Sequence, residues 1–209
     1  MIVTIDHALY QVIPKFNILA YQITYKIAFQ DKIKEDITNY QTTYTLDEVV
    51  KIPKIKEVRD IYKKMGLDPS HTRCAQEALI RRAIAQKLTS IHPLVDLGNL
   101  LSLKCLRSVC VADLNLIDDI YITIGKKGER IDPINRNSIN LEHLVIYKDS
   151  QGVFGSTTSD AKRTSVSDQA KVYLLMIILF SEQEEEEQIL KELLDKYLVN
   201  YNIQKIEVK

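Results

Sequence analysis

Apolar positions change their spacing several times along the chain, and each change predicts an element. From Phe16 to Phe29 the residues Leu19, Tyr21, Ile23, Tyr25 and Ile27 fall at every second position. That period predicts a strand with these side chains on one face. Ile55, Val58, Ile61, Tyr62 and Met65 then recur every three or four residues, which predicts an amphipathic helix stopped by Gly66, with a turn at Asp68–Pro69. A second helix is predicted through EALIRR (77–82) to Lys87, with Leu79, Ile80, Ala83, Ile84 and Leu88 as its apolar stripe. Glu77 and Arg81, four apart, are expected to pair on its outer side. A third helix is predicted from Pro93, whose missing N–H costs nothing in a first turn. It carries Leu94, Val95, Leu97, Leu100, Leu101 and Leu103.

After Cys110 the pattern becomes β. Ile120, Ile122 and Ile124 alternate, GKKGE (125–129) turns the chain, and 144–156 reads as a hairpin with Asp149 to Gly152 at its tip. The unbroken apolar run KVYLLMIILF (171–180) predicts a buried strand. Residues 182–198 predict a helix with Ile189, Leu190, Leu193, Leu194, Tyr197 and Leu198 as its stripe. Its acidic run, Glu184 to Glu187, is expected to be a solvated start that suits the positive end of a helix. Val199 to Val208 reads as a closing strand. No repeat or linker interrupts the pattern, so residues 1–209 are expected to form one domain.

Composition narrows the function classes. The 28 Lys and Arg balance the 28 Asp and Glu, so no global field draws the chain to nucleic acid, and any RNA contact needs a local basic patch. The longest apolar run, Val172 to Phe180, falls short of the roughly 20 residues of a membrane span. MIVTIDHALY lacks the basic-then-apolar order of a secretory leader. Cys74, Cys105 and Cys110 have no CxxC spacing, and reduced thiols in the cytoplasm are expected. His7, His71, His92 and His143 are scattered, which predicts no metal site. Neither a GxxxxGK[ST] nor a GxGxxG loop is present, so no nucleotide cofactor is expected.

Polar residues inside apolar segments are the candidates for chemistry. Asp96, Asn99 and Ser102 recur every third residue on one face of the third predicted helix. Such a stripe must be hydrogen-bonded or line a wet cavity, and Arg81 and Arg82 are candidate partners. Asp113 is expected to cap a turn, and Glu129 to be a solvated turn carboxylate. Arg163 with Thr164 combines a guanidinium suited to phosphate or carboxylate with a hydroxyl that can orient water; a surface loop is the alternative.

The blocks EALIRR, PLVDLGNLLSL (93–103), ADLN (112–115), GKKGE and LVIYKDSQGVFGS (144–156) succeed one another over residues 66–180. In this order they resemble the tRNA-binding and editing domain of the phenylalanyl-tRNA synthetase beta chain. They are more similar still to free-standing proteins built from that domain alone, whose final block DAKRTSVSDQAK (160–171) resembles. Residues 1–60 and 182–209 are expected to complete the same domain. The resemblance implies an α+β fold of packed β-sheets with helices on one side. It implies binding of the acceptor end of tRNA or of an aminoacyl-tRNA. It also implies hydrolysis in trans of a mischarged ester by a positioned water, without metal or cofactor. The implied catalytic residues are Arg163 and Thr164, with Asn99, Cys110, Asp160 and Ser165 binding substrate. Arg81, Arg82, Asp96 and Asp113 are expected to form a structural polar network. The bacterial synthetase carries a histidine at the position that Cys110 occupies here, so Cys110 is expected in the pocket wall and tyrosine specificity is not carried over. Two alternatives stay open: a non-catalytic module binding a free amino acid or small metabolite, and a structural or interaction domain.

Overall fold

A computed structural model describes residues 1–134 and 137–209. The first half runs β1 (Ile2–Ile5), α1 (His7–Val12), β2 (Asn17–Thr24), β3 (Ile27–Ala28), α2 (Gln30–Thr38), α3 (Pro53–Lys64), α4 (Ala75–Ile84) and α5 (Pro93–Cys105). Strands dominate the second half: β4 (Ser108–Asp113), β5 (Ile120–Ile124), β6 (Arg130–Ile131), β7 (Ile139–Asn140), β8 (Val145–Asp149), β9 (Gly152–Ser156) and β10 (Tyr173–Leu179). The chain closes with α6 (Glu186–Tyr197), β11 (Leu198–Val199), β12 (Asn202–Lys205) and β13 (Glu207–Val208). Among the described residues no helix is long and apolar enough to cross a membrane.

Three layers result from where the apolar side chains go. A mixed sheet in the order β13-β1-β5-β8-β9 forms the first. An antiparallel sheet, β12-β2-β10-β4, forms the second. Ile18, Ala20, Leu174, Met176, Ile178, Cys110 and Ala112 leave one face of this second sheet and share a core with the first sheet. Leu19, Tyr21, Ile23, Leu175, Ile177 and Leu179 leave the other face and pack on α2, α4, α5 and α6. The fold is thus α+β, with packed sheets and the helices mainly on one side. Every residue of β10 is buried because it is central in the middle layer, which explains its unbroken apolar run. The same position corrects the reading of the first strand: β2 buries both faces, while Tyr25 lies beyond its end and Ile27 is exposed.

Helix boundaries match their punctuation. Pro53 and Pro93 sit in first turns, and Gly66 takes φ +85° just past α3. Two charge assignments change. Glu77 is fully buried, not on the outer side of α4. It keeps the bond from Arg81 Nε at 3.0 Å and gains Arg59 Nη1 at 2.9 Å. Nor is the acidic start of α6 solvated throughout. Glu186 is fully buried against Arg107, Nε to Oε1 2.9 Å. A carboxylate leaves water only with such charge-assisted partners.

Candidate functional site

Gly98 brings α5 onto β4. A Cβ there would lie 2.5 Å from Val111 Cγ2, so a larger residue would push the helix off the strand. This close approach places Asn99 and Ser102 beside Val109, at the back of a cleft of about 530 Å³. The N-terminal half of α4 forms the second wall, through Ala75, Ala78 and Leu79, with Arg82 at the rim. That helix is anchored by Ala75 N–H donating to Thr157 O at 2.8 Å. Arg73 lies on the same rim. The third wall is the turn after β9, at Thr158 to Asp160, tied to the lip Pro133–Ile134 by a bridge between Pro133 and Ala161.

Asp160 is the chemically distinctive group. Burial lifts its carboxyl from an ordinary 3.8 to about 7, opposed in part by a hydrogen bond from the Cys110 thiol. At neutral pH it therefore exists in both protonation states, the condition for taking and returning a proton. The approach depends on Gly155, where a Cβ would stand 3.0 Å from Asp160 Oδ1 and 2.7 Å from Tyr147 Cδ2. Cys110 is buried behind the carboxyl, and burial holds its thiol far above the usual range. A thiol kept protonated has no nucleophilic form at neutral pH. Asn99 is half-buried, lines the cleft and makes no side-chain hydrogen bond among the described residues, so its amide is free to donate.

The sequence expectations sort accordingly. Asn99 and Asp160 line one cleft. Cys110 does not line it and acts only through Asp160. Arg163, Thr164 and Ser165 do not line this cleft, and Arg163 lies beneath the β8–β9 hairpin tip. The Arg163 guanidinium is taken up by Asp149 Oδ1 at 2.6 Å and Gly152 O at 2.8 Å, and its face lies over the Phe154 ring. Thr164 is buried with its hydroxyl unpartnered, and Ser165 Oγ donates to Lys162 O. The expected network of Arg81, Arg82, Asp96 and Asp113 is likewise dispersed. Arg81 bonds Glu77, and Arg82 stands at the cleft rim with Nη2 3.3 Å from Lys87 O. Asp113 Oδ1 accepts from Asn115 N–H, a turn cap as expected. Asp96 points back into the loop before α5, accepting from Ser90 Oγ at 2.6 Å and Ile91 N–H at 3.0 Å. Those two donors lose their acceptor in Asp96→Ala, so its thermal unfolding is expected to show a loss of about 1–3 kcal/mol.

Arg73 escaped the sequence reading because it sits in a loop, HTRC, with no periodic neighbour. Its signal is positional: a cation just before a helix whose last turn carries Arg82.

No curated protein matches the chain. A solved structure with the same fold over the whole chain is an N-terminal fragment of the phenylalanyl-tRNA synthetase beta subunit from Pyrococcus horikoshii, at TM-score 0.50 and 12% identity. The present chain spans 51% of that fragment. A family model, the B3/4 domain, matches residues 57–192. That stretch holds α4, α5, β4 and the turn at Asp160, hence every wall of the cleft, and the chain belongs to the B3/4 domain family.

Proposed function

We propose that this chain binds the acceptor end of an aminoacyl-tRNA in the Asp160 cleft and hydrolyses the ester that carries the amino acid. The observation that supports this best is the Asp160 carboxyl in the wall of a cleft rimmed by two arginines, where burial lifts it to about 7. Arg73 and Arg82 suit the phosphates of the single-stranded end. Asp160, ionised, takes a proton from a water as its oxygen attacks the ester carbonyl carbon. The Asn99 amide donates to the carbonyl oxygen as charge builds on it, the kind of donor whose loss typically costs about 10²–10³ in rate. The C–O bond to the ribose then breaks, and the leaving oxygen receives the proton from Asp160. The products are a free amino acid and tRNA.

This reading also draws on the fold shared with the synthetase beta-subunit fragment. The neutral charge of the chain sets its affinity. With two rim arginines, binding is weak, and log K is expected to fall with log salt at a slope near −1.4, about 0.7 per single-strand phosphate neutralised. Such a chain works in the cytoplasm, where charged tRNA is found.

The test is deacylation of a panel of correctly and incorrectly charged tRNAs across pH. At least one ester is expected to be cleaved, with a rate that rises through a midpoint near pH 7 and then levels, because the base must be ionised. Removing the Cys110 hydrogen bond, which favours the charged carboxylate, is expected to move that midpoint upward in Cys110→Ala. If no charged tRNA is cleaved while a free amino acid or other metabolite binds the cleft, the chain is a binding module instead.

A further inference from the structure

A second cavity, of about 590 Å³, lies at the other end of α5. It is bounded by the β2–β3 turn, the start of α2, the loop before α5 and the segment leading into β10. Lys26, Lys34 and Lys171 line it, and so do Asp31, Asp168 and Asp96, the last with its carboxylate taken up by Ser90 and Ile91. The three lysines, Asp31 and Asp168 are exposed, and none of these five makes an ion pair among the described residues. Charges of both signs thus face one cavity without neutralising one another.

The aromatic part of the wall is fixed. Tyr25 and Tyr173 stack at 5.4 Å, and His92 leans on Tyr173 at 5.8 Å. Leu94 N–H donates to His92 Nδ1 at 3.2 Å, so a neutral ring carries its proton on Nε2 and can donate it. Tyr173 is itself pinned by its hydroxyl donating to Ala170 O at 2.8 Å.

We infer that this cavity is a binding site for a free α-amino acid, held by its carboxylate on the lysines and its ammonium on Asp168 or Asp31. A simple anion meets two unpaired carboxylates there, and a simple cation meets three ammonium groups. A zwitterion satisfies both sets. The volume falls within the range of small-molecule sites, about 300–1,000 Å³, and the tyrosine and histidine rings supply an apolar wall for a side chain. The site is separate from the Asp160 cleft, and the inference does not rest on the function proposed for that cleft.

Calorimetric titration with each standard amino acid tests it. The probes include the methyl ester and the N-acetyl form of any that binds, and inorganic phosphate. At least one free amino acid is expected to bind, and masking either its carboxylate or its ammonium is expected to weaken binding tenfold or more. The double variant Lys26→Gln/Lys171→Gln and the single variant Asp168→Asn are each expected to weaken it severalfold with an unchanged melting temperature, since all three residues are exposed. No binding by any amino acid overturns the inference. Equal binding of the masked forms does so as well, as does binding of phosphate alone. Binding that survives these variants but is lost in Asp160→Asn puts the amino acid in the first cleft, and also overturns it.

Discussion

Replacing Asp160 with Asn is expected to slow deacylation by about 10²–10⁴-fold, the usual contribution of a positioned general base, while making the protein more stable above pH 7. The two effects have one cause. Burial raises the carboxyl to about 7 in the folded chain, with Cys110 opposing it in part. In the unfolded chain the group ionises near its ordinary value of 3.8. Between those two values the native state holds a proton that the unfolded chain has lost. Native stability therefore falls as pH rises from the lower value to the higher, and stays low beyond it. Asn carries no charge and escapes this penalty. The melting temperatures of the two proteins should nearly coincide only near pH 3, below both values, and differ most at pH 8, with the variant higher. Gly155→Ala provides a second route to the same group, since its Cβ crowds Asp160 Oδ1 and the Tyr147 ring. It should lose activity by displacing the carboxyl, and it should also lose stability. An Asp160→Asn protein that melts lower than wild type at pH 8, or that keeps full activity, would mean that this carboxyl is not the poised base.

Where the chain spells out its structure, it does so through local rules. The unbroken run of β10, the Asp149–Gly152 hairpin tip and the Pro93 start of α5 are each set by residues within a few positions, and all lie where the pattern predicts. Asn99 was legible for the same reason, as a polar break in an apolar helix. The failures share a different cause. Glu77 and Glu186 look solvated because each stands in a charged stretch. Their burial is decided by Arg59 and Arg107, 18 and 79 residues away in sequence. Arg163 looks like a free guanidinium until the β8–β9 hairpin brings Asp149 to it across 14 residues. Asp160 was visible as a polar residue in a resembling block, but its shifted titration comes from burial beside Gly155, only partly opposed by the Cys110 thiol, surroundings that only the sheet assembles. Charges are placed by long-range partners, so periodicity predicts the elements better than it predicts the site.

Arg107→Ala is expected to cost about 3–5 kcal/mol of stability, the range for stranding one partner of a buried ion pair, and to leave activity per folded molecule unchanged. Arg107 comes directly after the left-handed cap of α5 at Leu106 and begins the turn into β4. Its side chain is almost wholly buried and all three nitrogens are engaged: Nε by Glu186 Oε1 at 2.9 Å, Nη1 by Ser181 Oγ at 2.8 Å, Nη2 by Glu182 O at 3.0 Å. It thus joins the α5–β4 corner to the start of α6. Burial alone would raise the Glu186 carboxyl, but the Arg107 bond and the Glu184 N–H outweigh it and hold the group below its usual range. A carboxylate depressed in this way contributes stability above its unfolded pKa and loses it as pH falls through the folded one. The gap between wild type and Arg107→Ala in urea unfolding should therefore be wide at pH 7 and narrow in acid. Lys54 Nζ, 3.3 Å from the same oxygen, remains in the variant, which places the loss toward the lower end of the range. Arg107→Met combined with Glu186→Met should recover much of it, because two apolar chains of similar volume leave no charge unpaired. A single Arg107→Ala variant that unfolds within about 1 kcal/mol of wild type, as a surface pair would, would show that this pair does not hold α6 to the sheet.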